Sequence, residues 1–380
     1  MAVVTGARFS FTDAANVPID MSDSLAMISP SEVPLLNIIG KDSLKSPCLN
    51  TKHEWLEDEL RSLDTAIATV GEFTGTGAVS TSTVTAGQGV YLRAGDVLLC
   101  ESELMLLGAI TTDTLTIAAG GRGYGGSTAA AHVTLTAIKV IGNVNLQDAG
   151  QGASRTTTKT GLFNHTQIYE DTIVVTSTTQ AQKKYVDQNE MSAQLSRSLR
   201  IAWIQYERTL LHGRKVAASA GVASAMDGIL VRISSNVYAK GGVALQEEFI
   251  LQALNDSYNQ GGAIDTMVLG TFQKRQANKF LDSMRMTNRT DRTAGVLVDT
   301  YTSDFGPPVN IVLDRNMPAD TVLLIEKGRI GFGPLTGHAL SSAPVETNTR
   351  LKAAVQIIGQ YTSEVRNEKA HAKITGLATS

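Results

Sequence analysis

Charged and aromatic side chains are scarce in this chain of 380 residues. Asp, Glu, Lys and Arg together make up 18% of the sequence, and Phe, Trp and Tyr make up 5%. The formal net charge of −3 excludes a generally basic nucleic-acid-binding protein, although a local basic surface is compatible with it. The hydrophobic fraction of 42% is ordinary for a soluble protein, and the length predicts two or three domains.

Cysteine and long apolar runs are also nearly absent. Cys48 and Cys100 lie far apart and form no Cys-X-X-Cys motif, so we interpret them as reduced thiols of a protein made in the cytosol. No stretch approaches the length of apolar sequence that a membrane-spanning helix needs, so none is expected. The first residues show no basic segment followed by an apolar core, and no secretory signal is expected.

The sequence lacks the common motifs of catalysis. No GxxxxGK[ST], GxSxG or HExxH pattern occurs. The histidines are scattered, with no pair at helical spacing, so neither a metal site nor a cofactor is predicted. The acidic residues near Trp55, including Glu57, are interpreted as a solvated or intersubunit face rather than as acid and base catalysts. We therefore predict no enzymatic activity.

One glycine-rich segment formally fits a nucleotide-binding pattern. It begins at Gly121, ends at Gly126 and fits GxGxxG, which in nucleotide-binding folds brings the backbone close to a pyrophosphate. The residues that follow lead into a strand pattern, and no βαβ unit surrounds the segment. The pattern favours a glycine-rich turn, and an enzyme that binds nucleotide through this loop is the less favoured alternative.

The strongest local signal is one long amphipathic helix, predicted over residues 180–215. An apolar stripe follows from placing the residues at about 100° per position: Met191, Leu195, Leu199, Ala202, Trp203, Tyr206 and Leu210. The basic residues on the opposite side are Lys183, Arg197, Arg208 and Lys215. Such a helix packs its apolar side on a sheet and presents its basic side to solvent, a neighbouring subunit or a polyanion. The residues alone favour solvent.

The segments before this helix predict an arm and an excursion of short strands. Residues 1–29 are polar and predict either an extended arm or a disordered tail. Residues 65–140 are rich in Thr, Gly, Ser and Ala and predict a small β-domain, with one of its strands at 90–92. Residues 164–176 predict a strand that pairs with the segment near Trp55 and closes a long hairpin.

The segments after the helix predict a second folded region. Helices at 245–259 and 271–284 alternate with short strands, which is typical of a compact α+β domain. Two strands, at 351–361 and 364–374, are predicted to close the chain.

Several motifs, taken in this order, resemble those of a known family. The motifs are SPSEVPLLNIIG, HEWLEDEL, NHTQIYEDTIVVTSTTQA, YERTLLHG, GPLTGHAL and IIGQYTSEVRNEKAHAKITGL. Together with the order of arm, hairpin excursion, long helix, α+β domain and closing strands, they resemble the major capsid protein of tailed bacteriophages, which has the Johnson fold. The segment GGRGYGGSTAAAH resembles a small β-domain that such proteins carry in the excursion.

The resemblance implies an α+β phage capsid fold with peripheral and axial domains. The implied parts are an N-terminal arm at 1–29, the start of the peripheral domain at 30–50, an extended loop at 51–178 with a β insertion at about 76–145, the spine helix at 179–227, the axial domain at 228–345 and closing peripheral strands at 346–380.

The resemblance also implies a structural role. The subunit would self-assemble into hexamers and pentamers of an icosahedral head that encloses double-stranded DNA, in a virion assembled in the host cytoplasm. A separate scaffolding protein, a portal and a decoration protein are the further expected partners, and no membrane partner is expected. An encapsulin-like compartment shell is the alternative with the same fold. A β-rich surface adhesin is disfavoured by the missing signal peptide.

Two groups of residues are candidate interaction sites under this resemblance. The basic side of the long helix would face packaged DNA through non-specific phosphate contacts, at Lys183, Arg197, Arg208 and Lys215. The candidate intersubunit contacts are Trp55, Glu57, Arg285, Arg289 and Arg292. No position matches the Lys, Asn and Glu that form an isopeptide cross-link in some relatives, so no catalytic residue is assigned.

Overall fold

The computed structural model describes most of the chain. The described residues are 32–68, 73, 80–147, 150, 152, 154–182, 189–281, 299–301, 308–346 and 350–379. They form two compact units: one contains the described residues up to Trp55 and from Leu162 onward, and the other is Leu56–Gly161. The arm predicted over 1–29 and the basic segment with Arg285, Arg289 and Arg292 lie outside the described residues.

The helices and strands are numbered in chain order. The helices are α1 Pro34–Ile39, α2 Ser177–Ala181, α3 Glu190–His212, α4 Ile229–Arg232, α5 Glu247–Asn259 and α6 Thr271–Leu281. The strands are β1 Lys52–Glu57, β2 Asp64–Ala66, β3 Thr81–Thr83, β4 Asp96–Cys100, β5 Glu103–Thr111, β6 Thr114–Ile117, β7 Ala137–Asn143, β8 Thr160–His165, β9 Gln167–Thr176, β10 Val237–Val243, β11 Thr266–Leu269, β12 Asp299–Tyr301, β13 Val309–Leu313, β14 Val322–Ile325, β15 Ile330–Pro334, β16 Ser341–Val345, β17 Lys352–Val365 and β18 Ala372–Leu377.

A mixed six-stranded sheet organises the C-terminal half of the first unit. Its order is β10-β18-β14-β11-β13-β12, with β11 parallel to β13 and β10 parallel to β18. The central strands β11 and β14 are buried along their whole length, which explains their continuous apolar character. Helix α5 covers this sheet with Ile250, Ala253 and Leu254, whose spacing places them on one side of a helix.

The second sheet of this unit is built around β17, a strand of 14 residues. β9 pairs with it over ten positions, from Gln167 opposite Tyr361 to Thr176 opposite Lys352, and β15 and β16 pair along its other edge. Helix α3 packs on one face of this sheet, where Met191, Leu195 and Leu199 meet residues of β9 and β17. The apolar side predicted for the helix is therefore the side that it buries.

Aromatic rings join α3 to this sheet. The ring of Tyr206 lies 4.7 Å from that of Tyr361, which stacks on Phe332 at 5.1 Å. The Tyr206 hydroxyl donates a hydrogen bond to the carbonyl oxygen of Gly359 at 2.9 Å. A side chain at position 359 would meet this hydroxyl and Leu340 at 3.0–3.2 Å, so glycine permits the close approach.

The single helix predicted over 180–215 is wrong at both ends. Gln182 is extended, with φ −69° and ψ 134°, so α2 ends there, and α3 begins after Asn189, whose side chain accepts a hydrogen bond from Ser192 N at 3.2 Å. Asn is a favoured N-cap because its oxygen satisfies a free backbone N–H. Helix α3 ends at His212 because Gly213 is extended and packs where a Cβ would lie 2.5 Å from the Met226 carbonyl oxygen.

One predicted strand pairing is also wrong. β9 pairs with β17, and it is β8 that pairs with β1, the strand containing Trp55. The error arises because alternating apolar residues predict a strand but do not identify its partner. Two closing strands are present, with other bounds than predicted: β17 continues to Val365, the chain turns at Asn367 with φ 48°, and β18 joins the six-stranded sheet.

The second unit is a six-stranded β-structure with its own core. Its strand order is β2-β7-β4-β5-β6-β3, and its buried residues include Leu98, Met105, Leu115 and Ile138. The strand predicted at 90–92 is wrong, because Gly89–Tyr91 forms a single 3₁₀ turn. The backbone N–H groups of Gly87 and Gly89 each donate to the Asp113 carboxylate at 2.9 Å, which stabilises a turn instead of a ladder.

Candidate functional site

The exposed side of α3 carries positive charge. Arg200 and Arg208 are exposed and Arg197 is half-buried. From Met191 to His212 the sequence contains one acidic residue, Glu207, and it is fully buried. The accessible charge of this helix beyond its first turn is therefore positive.

The structure keeps half of the predicted basic stripe together. Arg197 and Arg208 lie on the same side of α3, about 20° apart at 100° per residue. Lys215 lies beyond the helix end, with its Nζ 4.4 Å from the centre of the Phe163 ring, so its predicted place on the helical stripe is wrong. Lys183 is outside the described residues. The sequence prediction missed Arg200, although it lies one turn from Arg197.

Asn316, in the turn between β13 and β14, is a hydrogen-bonding hub at the C-terminal end of α3. Its side-chain oxygen accepts a hydrogen bond from Arg208 Nε at 3.0 Å, and its side-chain nitrogen donates to Glu207 Oε1 at 2.9 Å. Its backbone oxygen accepts from His212 Nε2 at 2.9 Å, and its backbone nitrogen donates to Asp314 Oδ1 at 2.7 Å. Asn316 thereby fixes the turn against the helix.

Two buried carboxyl groups lie within this network. Burial is the main cause that raises the pKa of Glu207 to about 7, and the nearby Asp314 carboxyl raises it further. Burial also raises the pKa of Asp314 above its usual range. Glu207 Oε2 accepts a hydrogen bond from Leu36 N at 3.1 Å. Sequence reasoning missed both carboxyl groups because nothing in the order of the residues indicates that they lie together.

An open concavity of about 490 Å³ lies on the accessible side of this network. Its lining residues come from the last turns of α3 and from the β13–β14 turn: Arg208, Thr209, His212, Gly213, Arg315 and Asn316. The lining contains two guanidinium groups and an imidazole but no carboxylate. Its chemistry suits an anion.

The sheet face opposite α3 is accessible and carries exposed apolar residues among polar ones, including Glu170, Thr172 and Gln356. In the antiparallel register Val174 and Val345 both lie opposite Ala354, and Ile168 and Ile358 fall on the same face by the two-residue period. Their side chains are 58% exposed at Ile168, 53% at Val174, 39% at Val345 and 37% at Ile358. Grouped exposed apolar residues of this kind mark interaction surfaces.

The two described candidates for intersubunit contact lie in different environments. Trp55 is 7% exposed, and its ring lies 6.0 Å from that of His53 in the interior of the first unit. Glu57 is half-buried. Their role in intersubunit contact stays a prediction. The more accessible side chain of this strand is Leu56, which is 68% exposed.

The glycine-rich segment at 121–126 is held by a buried ion-pair network. Arg122 donates to both oxygens of Glu103, at 2.6 and 2.9 Å, and His132 Nε2 lies 2.9 Å from the same carboxylate. A 3₁₀ turn follows at Tyr124–Gly126, and the chain is extended again at Ser127. No helix N-terminus therefore stands behind these glycines to bind a pyrophosphate, and the loop has the geometry of a β-domain turn.

Burial alone would raise the pKa of Glu103, but its hydrogen bonds outweigh that effect. Donors from Arg122, Ala130, His132 and Gly123 together lower the pKa of Glu103 to about 2. The carboxylate therefore stays ionised and holds two separate segments of the loop.

Neither metal ligation nor membrane insertion has support in the described residues. Across the described ranges no three His, Cys, Asp or Glu side chains are grouped as metal ligands would be. No helix within those ranges has both the length and the apolar character that crossing a membrane requires.

Solved capsid structures share this fold. The structure resembles the capsid protein of a native GTA particle, with 9% identity and a TM-score of 0.54, over 98% of this chain and 99% of that one. It resembles the capsid protein of cyanophage A-1(L) with 9% identity and a TM-score of 0.52, over 98% and 100% of the two chains. These likenesses show the Johnson fold of phage capsids, as the sequence motifs predicted.

The sequence identifies the family. The family model described as SU10 major capsid protein matches residues 3–378, and the chain belongs to this family. It is a major capsid protein, a structural subunit of a phage head, which confirms the predicted function class. A comparison with curated proteins finds no match.

The predicted alternative of an encapsulin shell has weaker support. The holo-SrpI encapsulin from Synechococcus elongatus PCC 7942 matches with 12% identity and a TM-score of 0.43, over 58% of this chain and 77% of that one. A likeness at this level carries no argument for a compartment function.

Proposed function

We propose that this subunit assembles into hexamers and pentamers that close an icosahedral head around double-stranded DNA. The observation that carries the proposal is the family match over residues 3–378, nearly the whole chain. A head subunit of this kind has no catalytic step. Assembly in the host cytoplasm, with a separate scaffolding protein, a portal and a decoration protein, completes the proposal.

The exposed apolar residues on the accessible face of the second sheet support contact between copies. Ile168 and Val174 are more than half exposed in the single chain. Covering apolar surface stabilises association by roughly 25 cal/mol per Å², so one such face per subunit, repeated around a closed shell, gives a large total. β9 carries both residues and pairs along one edge only, with β17, within the described sheet. We infer that a second copy covers this face, with Trp55, Glu57 and the arginines at 285, 289 and 292 as further candidate contacts.

The basic side of α3 supports contact with DNA. Arg200 and Arg208 are exposed and Arg197 is half-buried, and phosphate contacts need positive charge at a surface without any base-reading geometry. A net charge of −3 for the whole chain means that this attraction is local. We infer that this side of α3 faces the packaged genome, with Lys183 and Lys215 as further candidates.

Charge reversal in assembled particles tests the DNA contact. The variant R197E/R200E is compared with K139E, which reverses an exposed lysine on β7 of the second unit. After nuclease treatment the ratio of DNA to protein in purified particles is measured across a range of salt concentrations. We expect R197E/R200E particles to retain less DNA, with a shallower salt dependence, while K139E matches the parent. Equal retention in all three would exclude this side of α3 as the DNA contact.

A further inference from the structure

The concavity at the C-terminal end of α3 combines basic groups from two elements. Arg208 and His212 come from successive turns of the helix, and Arg315 comes from the β13–β14 turn. All three side chains are accessible: Arg208 and His212 are exposed, and the Arg315 side chain is 62% exposed. Residues more than a hundred positions apart in the chain thus supply one positive surface.

Arg208 is positioned in advance for a bidentate contact. Its Nε donates to Asn316 Oδ1 at 3.0 Å, and its two terminal nitrogens have no hydrogen-bond partner within the described part of the chain. Asn316 is itself held by Glu207 and Asp314, so the support of the guanidinium group is rigid. A guanidinium fork held in this way matches the paired oxygens of a phosphate, and little side-chain freedom is lost on binding.

His212 and Arg315 line the rest of the concavity. His212 donates through Nε2 to the Asn316 backbone oxygen, which orients its ring at the concavity. Among the described residues Arg315 makes one long ion pair, from its Nε to Glu32 Oε2 at 3.9 Å, and the Glu32 side chain is 74% exposed. Glu32 is therefore a weak internal competitor for the same positive charge.

Nearby negative groups weaken the site but do not cancel it. The C-terminus of a helix carries roughly −0.5 charge, whereas Arg208 and Arg315 supply two full positive charges. The Gly213 carbonyl oxygen already accepts a hydrogen bond from Gly228 N at 2.9 Å, which satisfies one of the free carbonyl groups. Glu207 and Asp314 lie behind the lining; burial raises the pKa of Glu207 to about 7, which reduces its negative charge near neutral pH, and also raises the pKa of Asp314.

We propose that this concavity is a phosphate-binding site whose donors are Arg208 and Arg315, with His212 at its edge. The ligand is a phosphate group, either of the DNA backbone or free in solution. The DNA source rests on the proposed function, whereas the site itself does not. Glu32 lowers the affinity of the site for phosphate, because it neutralises part of the charge of Arg315.

Binding of inorganic phosphate to the full chain tests the site directly. Phosphorus NMR line broadening or calorimetry, at constant ionic strength set with chloride, gives the affinity of the parent and four variants. R208Q and R315Q each remove one donor, R200Q removes an exposed arginine of α3 outside the lining, and E32Q removes the competitor. Since charge-assisted bidentate hydrogen bonds are strong, we expect R208Q to lose about tenfold or more in affinity. R315Q should also lose affinity, R200Q should match the parent, and E32Q should bind more tightly.

The variants separate a built site from general positive charge and from misfolding. Equal losses in R200Q and R208Q, or no phosphate binding by the parent, would overturn the proposal. R208Q also removes the hydrogen bond to Asn316, so its thermal unfolding is measured. R315Q leaves the Asn316 hydrogen bond intact. An R315Q protein that binds phosphate like the parent would therefore also count against the site.

A parallel titration with DNA identifies the source of the phosphate. A short duplex is titrated into the same proteins. If R208Q weakens binding of both phosphate and duplex, the site contacts the DNA backbone. If it weakens only phosphate binding, the site stands as one for free phosphate and the DNA contact of Arg208 fails. If R200Q weakens duplex binding while no variant alters phosphate binding, the site fails and the DNA-facing helix stands.

Discussion

Glu207 in α3 accepts a hydrogen bond from the backbone N–H of Leu36 at 3.1 Å, although 171 positions separate the two residues. Leu36 lies in the first turn of α1, whose N-cap, Val33, makes no side-chain capping hydrogen bond. The first N–H groups of a helix have no partner within the helix, so the Glu207 carboxylate caps α1 from a distant segment. This contact fastens the first described helix to α3.

Stability should therefore depend on pH through Glu207. Its folded pKa of about 7 exceeds the ordinary value of 4.5, so the folded state binds the proton more tightly than the unfolded state does. The free energy of unfolding should fall as pH rises between about 4.5 and 7, by roughly 2–3 kcal/mol for a fully buried group. Asp314, whose pKa is also raised, contributes with the same sign. Denaturant unfolding across this range measures the slope.

The variant E207Q isolates the contribution of Glu207. An amide does not titrate, so the fall in stability between about pH 4.5 and 7 should shrink in E207Q, leaving the part that belongs to Asp314. E207Q also loses one hydrogen-bond acceptor, which lowers its stability at acid pH relative to the parent by about 1–3 kcal/mol. A parent and a variant with the same pH slope would contradict this account of the buried carboxyl.

The second unit should depend on Glu103. The variant E103Q leaves the buried Arg122 without its carboxylate partner, and breaking such a pair typically costs about 3–5 kcal/mol. E101Q is the matched control, because Glu101 also contacts His132, at 3.0 Å, but is 58% exposed. Its loss should be below about 1 kcal/mol. Limited proteolysis within residues 56–161 and calorimetric unfolding measure the difference, and similar losses in both variants would refute the role of burial.

Glu103 should make the stability of the second unit fall as pH falls, whereas Glu207 makes stability fall as pH rises. The pKa of Glu103 is lowered from 4.5 to about 2, so its contribution is complete above pH 4.5 and is lost as pH falls towards 2. Proteolysis of the second unit should therefore accelerate across this range in the parent. In E103Q the acceleration should be much smaller. An unchanged acid profile in the variant would assign the acid loss to other groups.

Replacing Leu135 with glycine should stabilise the second unit. Its φ of 64° lies in the left-handed region, where a side chain costs about 1–2 kcal/mol, and the leucine is 78% exposed, so little burial offsets this cost. We expect L135G to raise the free energy of unfolding of the second unit by about 1 kcal/mol. L135A keeps the Cβ and serves as the control, with no such gain expected. A gain of the same size in L135A would rule out backbone conformation as the cause.

A charge in place of Val174, on the accessible face of the second sheet, should block assembly without unfolding the subunit. Val174 is 53% exposed, so V174K should change the unfolding temperature by only a few degrees while it places a charge in the proposed contact between copies. V174T keeps the β-branched shape without a charge and should assemble more completely than V174K. Particle yield by sedimentation measures the effect, and parental yield from V174K would place the contact elsewhere.

Local patterns predicted much of the first unit. The spacing of Leu195, Tyr206 and Leu210 predicted the buried side of α3, because a helix repeats every 3.6 residues whatever it packs against. The pattern at 266–269 likewise predicted a short strand, which is β11. The family motifs then supplied the fold, which no single segment indicates.

Long-range partners were not predictable from the same patterns. Glu103, Arg122 and His132 come from three segments of the second unit, and nothing in their spacing indicates that they form one network. Asn316 joins Arg208, Glu207 and Asp314 only because the β13–β14 turn lies beside α3. The interruption before α3 was missed because residues 180–189 contain no Gly or Pro, while the N-cap Asn189 gives only a weak signal.

Self-association of the purified full chain tests the account most directly. Sedimentation velocity over a wide concentration range, with electron microscopy of the same samples and with a scaffolding protein added in a parallel series, measures it. The account predicts capsomer rings or closed angular shells whose yield rises with concentration. A chain that stays a compact monomer in every sample of both series would contradict it.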